Sequence, residues 1–570
     1  MAKLYNLARM TTATTGSGTI ALGSAVSGYL TFDEAGVQDG DPVSYGIKDG
    51  ANSEVGTGTY TASGTTLTRT VTKSTNSNTA ISLSGTAEVF ITARAEDFSV
   101  SASDTVAGVV ELATSTEVAT GTDTTRAVTP KGAADTYVPK VDDLSTLAGF
   151  TGTMVWLTEA GREGPFVWDA SDLSAKITAD PQQGIYIPPT SDTTGASGAW
   201  VRQYLRQVNA SWFGFSSAAP ASANTTALQA AIDILTSGEV FIPAGIYEIT
   251  QVTLKPGVGL RGENKYSTRL KAGINSAAML VYIEASQVHY YISVRDLGFD
   301  VNGHTGSVAI YLDGGDPDWR VANVTLADLD IRGTDTQEFA TGIHISLLAD
   351  CLIKDVVCTL VTNAFDVDGS ADTDLTNCMA QLGSGNGFAV TGNMTGAVDE
   401  GCRLTTCSTN GQAVGLNING QQWGCATGCS FTTCSIGSVF FSGACSEWKF
   451  SACEFAPAEG QVGNGVYFTD ANSKDILFSS CQFILGLYGA VLGGERISFV
   501  GCHFSNNVNN DILVGAAKKC TISANICDSA VTNSIIETTG ADYNNINGNV
   551  TNGAVVKVGT HSVAANNVVY

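Results

Sequence analysis

The sequence predicts a mainly β chain whose C-terminal half is a solenoid of stacked parallel strands, and three observations predict it. Composition is the first: 63 Gly, only 12 Pro and 15% charged residues, in a chain rich in Thr, Ser, Asn, Val and Ile, which suits short strands joined by many turns. The second is a period. Short strands recur as GIHI (from 342), AFDV (364), GFAV (387), GLNI (415), SVFF (438), GVYF (465), GAVL (489) and DILV (511), with steps of 22, 23, 28, 23, 27, 24 and 22 residues. Their mean of about 24 marks one coil per repeat. The third is a second strand in each repeat, written as an apolar residue, two residues and a cysteine: Leu375 with Cys378, Leu404 with Cys407, Phe431 with Cys434, Phe450 with Cys453, Phe478 with Cys481, and Phe499 with Cys502. Stacking turns such positions into interior ladders in which each coil buries a face of the next.

At 570 residues the chain is too long for one globule, and about four units are expected. A net charge of -25 argues against nucleic acid and against anionic membrane surfaces, both of which it repels. No apolar run reaches the roughly 18 residues that insertion into a membrane needs. Met1 to Met10 has no apolar stretch behind Lys3, so synthesis and folding in a cytoplasm are expected, with reduced thiols.

The elements follow in order. Residues 1–98 alternate Thr, Ser and Gly with β-branched runs such as Glu88-Val89-Phe90-Ile91-Thr92 and read as a small β domain. Residues 99–140 are too thin in Gly, Thr and Ala to build a core alone, which points to intertwining with other copies. Residues 141–214 form a connector in which Trp156, Phe166, Trp168, Tyr186 and Trp200 are expected as core aromatics. In 215–550, an amphipathic helix over 226–235 precedes the solenoid; 551–570 is a short C-terminal segment, so any separate C-terminal trimerisation domain is expected to be very small.

Several of these stretches carry a family resemblance. MAKLYNLARMTTATTGSGTIALGSAVSGYLTF resembles the N-terminal attachment domain of bacteriophage tail fibres and tailspikes. GVVELAT followed by GTDTTRAVTP resembles a short repeat of tail-fibre shafts. LTEAGREGPFVWDASD, TADPQQGIYIPP and GASGAWVRQY resemble a connector found ahead of tailspike β-helices. TALQAAIDILTSGEVFIPAGIYEITQVTLKPGVGLRGEN resembles the opening of pectate-lyase-like right-handed parallel β-helices, where a helix caps the open end of the coil stack; the Gly-Asp and Asp-Asp residues usual ahead of that helix are replaced here by SSAAPASANT.

The resemblance implies a virion tail protein, a homotrimer attached through its N-terminus to a tail, baseplate or adaptor protein, that binds host surface polysaccharide in adsorption. The alternative is a depolymerase, hydrolase or lyase, that degrades capsule, exopolysaccharide or O-antigen. A secreted pectinase-like enzyme is a third reading, disfavoured by the fibre-like first 210 residues.

Strand side chains alternate in and out, so the third residue of each first strand points outward: His344, Asp366, Ala389, Asn417, Phe440, Tyr467, Val491 and Leu513. The apolar end of this row, Phe440, Tyr467, Val491 and Leu513, makes a stripe that one soluble chain should not expose, and a contact between copies is expected there. The polar end offers chemistry. Asp366 and Asp368 lie about 6.6 Å apart at their β-carbons, near the spacing of an inverting glycosidase, with His344 about 4.8 Å from Asp366 on the adjacent coil. Two further candidates are the row Glu454, Gln482 and His503, and the turn with Asp313, Asp316, Asp318 and Trp319, which joins carboxylates to an aromatic sugar platform.

No cofactor and no metal are expected. Cys425, Cys429 and Cys434 lack paired CxxC spacing and a nearby histidine, and the buried small-hydrophobe role fits these cysteines instead. The sequence also has no GxSxG elbow, HExxH or phosphate loop.

Overall fold

The computed structural model describes residues 2–98, 102, 108–136, 139–283, 291–315, 323–392, 401–460 and 463–570. The chain divides into two compact units, Met1–Pro139 and Lys140–Tyr570.

The first unit is built on a seven-stranded sheet in which Arg9–Thr12 pairs antiparallel with Ala87–Ile91, and Pro42–Asp49 pairs with both Ala87–Ile91 and Asn52–Thr61. Its core is Met10, Ile20, Phe32, Val43, Tyr45, Ile47, Tyr60, Leu67 and Val89. A buried Glu54–Arg69 ion pair crosses that core. Burial of charge is tolerated because the carboxylate also accepts from the Tyr45 hydroxyl at 2.7 Å and the Ile81 amide at 2.9 Å. Further along, helix Ser115–Thr120 is closed by a Thr114/Glu117 capping box. Around it Val109, Val110, Leu112 and Val128 are exposed, so the GVVELAT motif shows its apolar side chains to solvent within one chain.

The second unit opens with a five-stranded sheet whose core includes Val155, Phe166, Ile187 and Trp200. Of the five expected core aromatics, Phe166 and Trp200 are buried and Trp168 and Tyr186 are half-buried. Trp156 is a correction: it sits 40% exposed, because Val155 and Leu157 on the same strand take the two inward positions. Helix Ala221–Asp233 follows, starting five residues earlier than expected. Its first turns are anchored by Asn224, a polar residue the apolar pattern could not mark: the buried side chain accepts from the Ser216 amide and donates to the carbonyls of Ala219 and Glu248. Ala227, Leu228, Ala231 and Ile232 face the solenoid, and the helix packs on strand Gly245–Ile249, covering the first coil.

From there the chain winds into a right-handed parallel β-solenoid of about 12 turns and about 24 residues per turn. Each full coil supplies two strands to a 27-stranded parallel sheet and one to a 13-stranded parallel sheet. In one coil these are Cys402–Thr405, Ser408–Asn410 and Val414–Asn419. The first two strands are separated by a left-handed residue, Thr406 (φ 50), and the same bend recurs at Asp328 (52), Asp355 (56), Asn377 (53), Ala452 (53), Ser480 (54) and Ala524 (54).

The residue after each bend points inward, and its identity changes in blocks: Leu297, Leu329 and Val356, then Cys378, Cys407, Cys429, Cys453, Cys481 and Cys502, then Asn525, Asn549 and Asn567. The thiols of Cys378, Cys407, Cys429, Cys453 and Cys502 each lie 3.3 to 3.5 Å from a backbone carbonyl of the preceding coil. In the asparagine block each side-chain oxygen accepts a backbone amide of the coil before, as Asn525 does from Cys502 at 2.8 Å and Asn549 from Asn525 at 3.0 Å. Small donors thus satisfy carbonyls that the bend removes from the ladder. Burial pushes the thiols of Cys434, Cys445 and Cys520 up to about 11.

Phenylalanines fill the interior beside this ladder. Phe478 stacks between Phe450 and Phe499 at 4.7 and 4.6 Å, and Phe483 between Phe455 and Phe504 at 4.7 and 4.4 Å. One expected member of the apolar-x-x-Cys series is misplaced. The wall containing Leu375, Leu404, Phe450, Phe478 and Phe499 is continued in the missing coil by Ala426, whose cysteine is Cys429. Phe431 belongs to the next wall, with Phe455, Phe483 and Phe504. The small Ala426 and the underlying Gly424 fit because Trp448 fills the space; a Cβ on Gly424 would come within 2.3 Å of its ring.

Candidate functional site

The 13-stranded sheet carries the outward row in the expected register. Tyr311 pairs with His344, then come Asp366, Ala389, Asn417, Phe440, Tyr467, Val491, Leu513 and Ile536, one per coil. A parallel row two residues further along each strand reads Asp313, Ser346, Asp368, Thr391, Asn419 and Ser442. The two rows place Tyr311, His344, Asp366, Asp313, Ser346 and Asp368 side by side on three coils. Asp313, expected as part of a separate turn, therefore joins the Asp366 and Asp368 cluster. Asp316, Asp318 and Trp319, the rest of that turn, lie outside the described residues.

Within the cluster, His344 Nδ1 and Asp366 Oδ2 are 2.8 Å apart, with side chains 17% and 30% exposed, so the pair is partly desolvated yet reachable. The Tyr311 ring stacks on the imidazole at 4.6 Å and 14°. Using Nδ1 on the carboxylate leaves Nε2 as the nitrogen that can meet a ligand. Asp368 differs from its neighbour: burial, then the negative charge of Asp366 and, more weakly, of Asp313 raise its carboxyl above the ordinary value, with His344 opposing. Tyr311 is pushed up by burial and by Asp313 and Asp368. One strand thus carries a carboxyl hydrogen-bonded to a histidine and, two residues on, a carboxyl whose proton affinity is raised, an arrangement that suits acid–base chemistry. Among the described residues no lysine or arginine pairs with Asp313, Asp366 or Asp368, and no three metal-ligating side chains converge as an ion site.

Tyr311 and Ser346 are the members that sequence reasoning missed. The coil from Tyr311 to His344 is 33 residues long by number, well over the period, so the 24-residue spacing that begins with the strand at 342 does not reach back to it. The signal was present as the alternation Tyr311, Asp313.

Glu454, Gln482 and His503 do stack in register on the 27-stranded sheet. Glu454 accepts from the Ser430 hydroxyl at 3.0 Å, and His503 Nε2 meets Asp528 Oδ2 at 3.0 Å with both side chains well exposed. This row is continued by the apolar Ile526. A cleft of about 250 Å³ lies on the bend side instead, lined by Lys265, Asp328, Asp355, Asn377, Met379 and Ser408 among others. Lys265 closes it by donating to the Asp355 carbonyl at 3.1 Å, so it is a polar seam between coils and is separate from the acid–base cluster.

The apolar row extends beyond expectation. Phe440, Tyr467, Val491 and Leu513 are followed in register by Ile536 and then Val556, so six successive coils present an apolar side chain, each half-buried.

No family model matches the sequence, and no curated protein does. Solved structures are similar in fold. The A-module of mannuronan C-5 epimerase AlgE6 from Azotobacter vinelandii is 16% identical at a TM-score of 0.41, covering 64% of this chain and 99% of that one. The tailspike gp49 of Acinetobacter baumannii bacteriophage Fri1, a capsular polysaccharide depolymerase, is 14% identical at a TM-score of 0.43, covering 76% of each chain. Tailspike protein 3 of bacteriophage CBA120 is 12% identical at 0.43, covering 63% and 61%. No residue role follows from likeness at this level.

Proposed function

We propose that this chain is a tailspike-type adsorption protein that binds host surface polysaccharide through its solenoid and cleaves it at the Tyr311, His344, Asp366, Asp368 cluster. The observation that carries the reading is the 2.8 Å His344–Asp366 pair beside the raised carboxyl of Asp368. A base and an acid on neighbouring coils of a rigid sheet suit cleavage between sugar units, with Asp366 orienting His344 and Asp368 holding the proton for the leaving oxygen.

Support for the phage assignment comes from the motifs in residues 1–264, with the first β unit as the attachment domain, residues 99–140 as shaft and 141–214 as connector. Support for a homotrimer comes from two apolar surfaces that a single chain leaves uncovered, the stripe from Phe440 to Val556 and the exposed Val109, Val110, Leu112 and Val128. The stripe and the cluster lie on one sheet face, separated by the Ala389 and Asn417 coils.

The test is incubation of the full chain with surface polysaccharides from candidate hosts, following retention on immobilised glycan and chain length by size exclusion. Binding with shortening is expected. Binding without shortening on every retained glycan would reduce the protein to an adhesin, and no retention on any would remove the polysaccharide assignment.

A further inference from the structure

We infer that the site takes a neutral glycan, rich in hydroxyl or acetamido groups and laid along the solenoid axis, and that it cuts by hydrolysis. This rests on the reading of the cluster as a carbohydrate-cleaving site and adds the substrate class and the reaction.

Charge is the first argument. Asp313, Asp366 and Asp368 fall within three successive coils, Asp313 on the first and the other two on the third, and His344 on the coil between is the sole described basic partner of any of them. The field on Asp368 is itself dominated by other carboxylates once burial is counted. A uronate or sulfated chain would bring more negative charge into a site that already raises a carboxyl's proton affinity. Elimination makes the demand sharper, because removing the proton next to a uronate carboxylate builds further negative charge that a cation must offset. No described lysine or arginine is placed to do so.

The second argument is the path beyond the cluster. In the register after Asp366 come Ala389 and Asn417, and after Asp368 come Thr391, Asn419 and Ser442. Ala389 is the small member of its row, between Asp366 and Asn417. Around it stand amides and hydroxyls: Asn417 Oδ1 accepts from the Ser442 hydroxyl at 3.0 Å, which directs its amide NH2 away from that bond, and Asn419 is exposed. Uncharged donors and acceptors repeating every coil, about 4.8 Å, match the hydroxyl and acetamido groups of successive sugar rings. The apolar stripe begins at Phe440 and ends the polar track.

The step balances with water as co-reactant. A water oxygen bonds to the anomeric carbon, its proton passing to His344 Nε2 while Asp366 holds Nδ1. The glycosidic carbon–oxygen bond breaks, and Asp368 gives its proton to the departing oxygen. Return of the proton from His344 through solvent to Asp368 resets the site.

The experiment uses the full chain and the host polysaccharide it shortens. The cleaved glycan should contain neutral sugars at the scissile linkage, each new reducing end should carry oxygen from isotopically labelled water, and no ultraviolet absorbance should appear. Unsaturated, absorbing ends or a uronate at the cleaved linkage would overturn the inference while leaving the cleavage site intact as a reading. Absence of cleavage by wild type on every bound glycan would instead sink the proposed function and the inference with it. For the track, Asn417→Ala and Asn419→Ala together should raise KM at least tenfold with kcat within threefold, and an unchanged KM would overturn the axial path.

Discussion

Replacing Phe478 with Ala removes a ring that stacks on Phe450 and Phe499 at 4.7 and 4.6 Å and meets Phe441, Phe455 and Phe483 edge-on. Phe478 is fully buried, and truncation of such a ring costs about 3–5 kcal/mol. Two stacked partners place it at the upper end, about 5 kcal/mol. Because each coil touches only its neighbours, the loss should stay local. Native-state hydrogen exchange reads it directly: amides in Ser446–Ser451, Lys474–Ser479 and Glu495–Val500 should lose between 10³- and 10⁴-fold protection, at about 1.4 kcal/mol per tenfold. Amides in Val258–Gly262 should change less than threefold. Equal losses at both ends of the solenoid, or a loss under tenfold at the mutated coil, would refute ladder packing as the local source of stability.

The other predictions concern surfaces and titration. Of the 14 cysteines, Cys425 alone is not buried, so one thiol per folded chain should react with an aromatic disulfide reagent, slowly near neutrality because burial raises its pKa and faster as pH rises; three or more reactive thiols would contradict the buried ladder. Asp368→Asn should stabilise the protein at neutral pH. A carboxyl whose folded value is raised binds its proton more tightly folded than unfolded, so its cost appears as pH rises through the window from the ordinary value to the raised one and is absent below it. A melting temperature for Asp368→Asn below wild type at pH 7, or a gain that persists in acid, would oppose this assignment. Tyr467→Asp with Leu513→Asp should convert trimers to monomers by light scattering, and an unchanged mass would refute the stripe as an interface.

Much of this was legible because a solenoid repeats. The 24-residue period placed His344, Asp366, Ala389, Asn417, Phe440, Tyr467, Val491 and Leu513 on one outward row, since a parallel register copies each strand's alternation into the next coil. The same logic failed where coils differ in length or filling. Phe431 was paired with Cys434 because Ala426 carries no apolar signal, although Trp448 fills its place. Tyr311 escaped because its coil is long. The inward asparagines Asn525, Asn549 and Asn567 were invisible to a hydrophobic pattern: the first two are buried and the third half-buried, held by the amides and carbonyls they satisfy. Proton affinity was out of reach as well. Spacing put Asp366 and Asp368 on one face, whereas only the packed cluster distinguishes the carboxylate tied to His344 from the one that burial and neighbouring charge raise.

The most direct test of the acid–base cluster compares wild type, Asp366→Asn and Asp368→Asn on a host polysaccharide that wild type shortens, with glycan retention and oligomeric mass measured alongside. Each substitution should lower kcat by about 10² to 10⁴-fold while retention and mass stay at wild-type values. Cleavage at the wild-type rate by both variants would contradict the account.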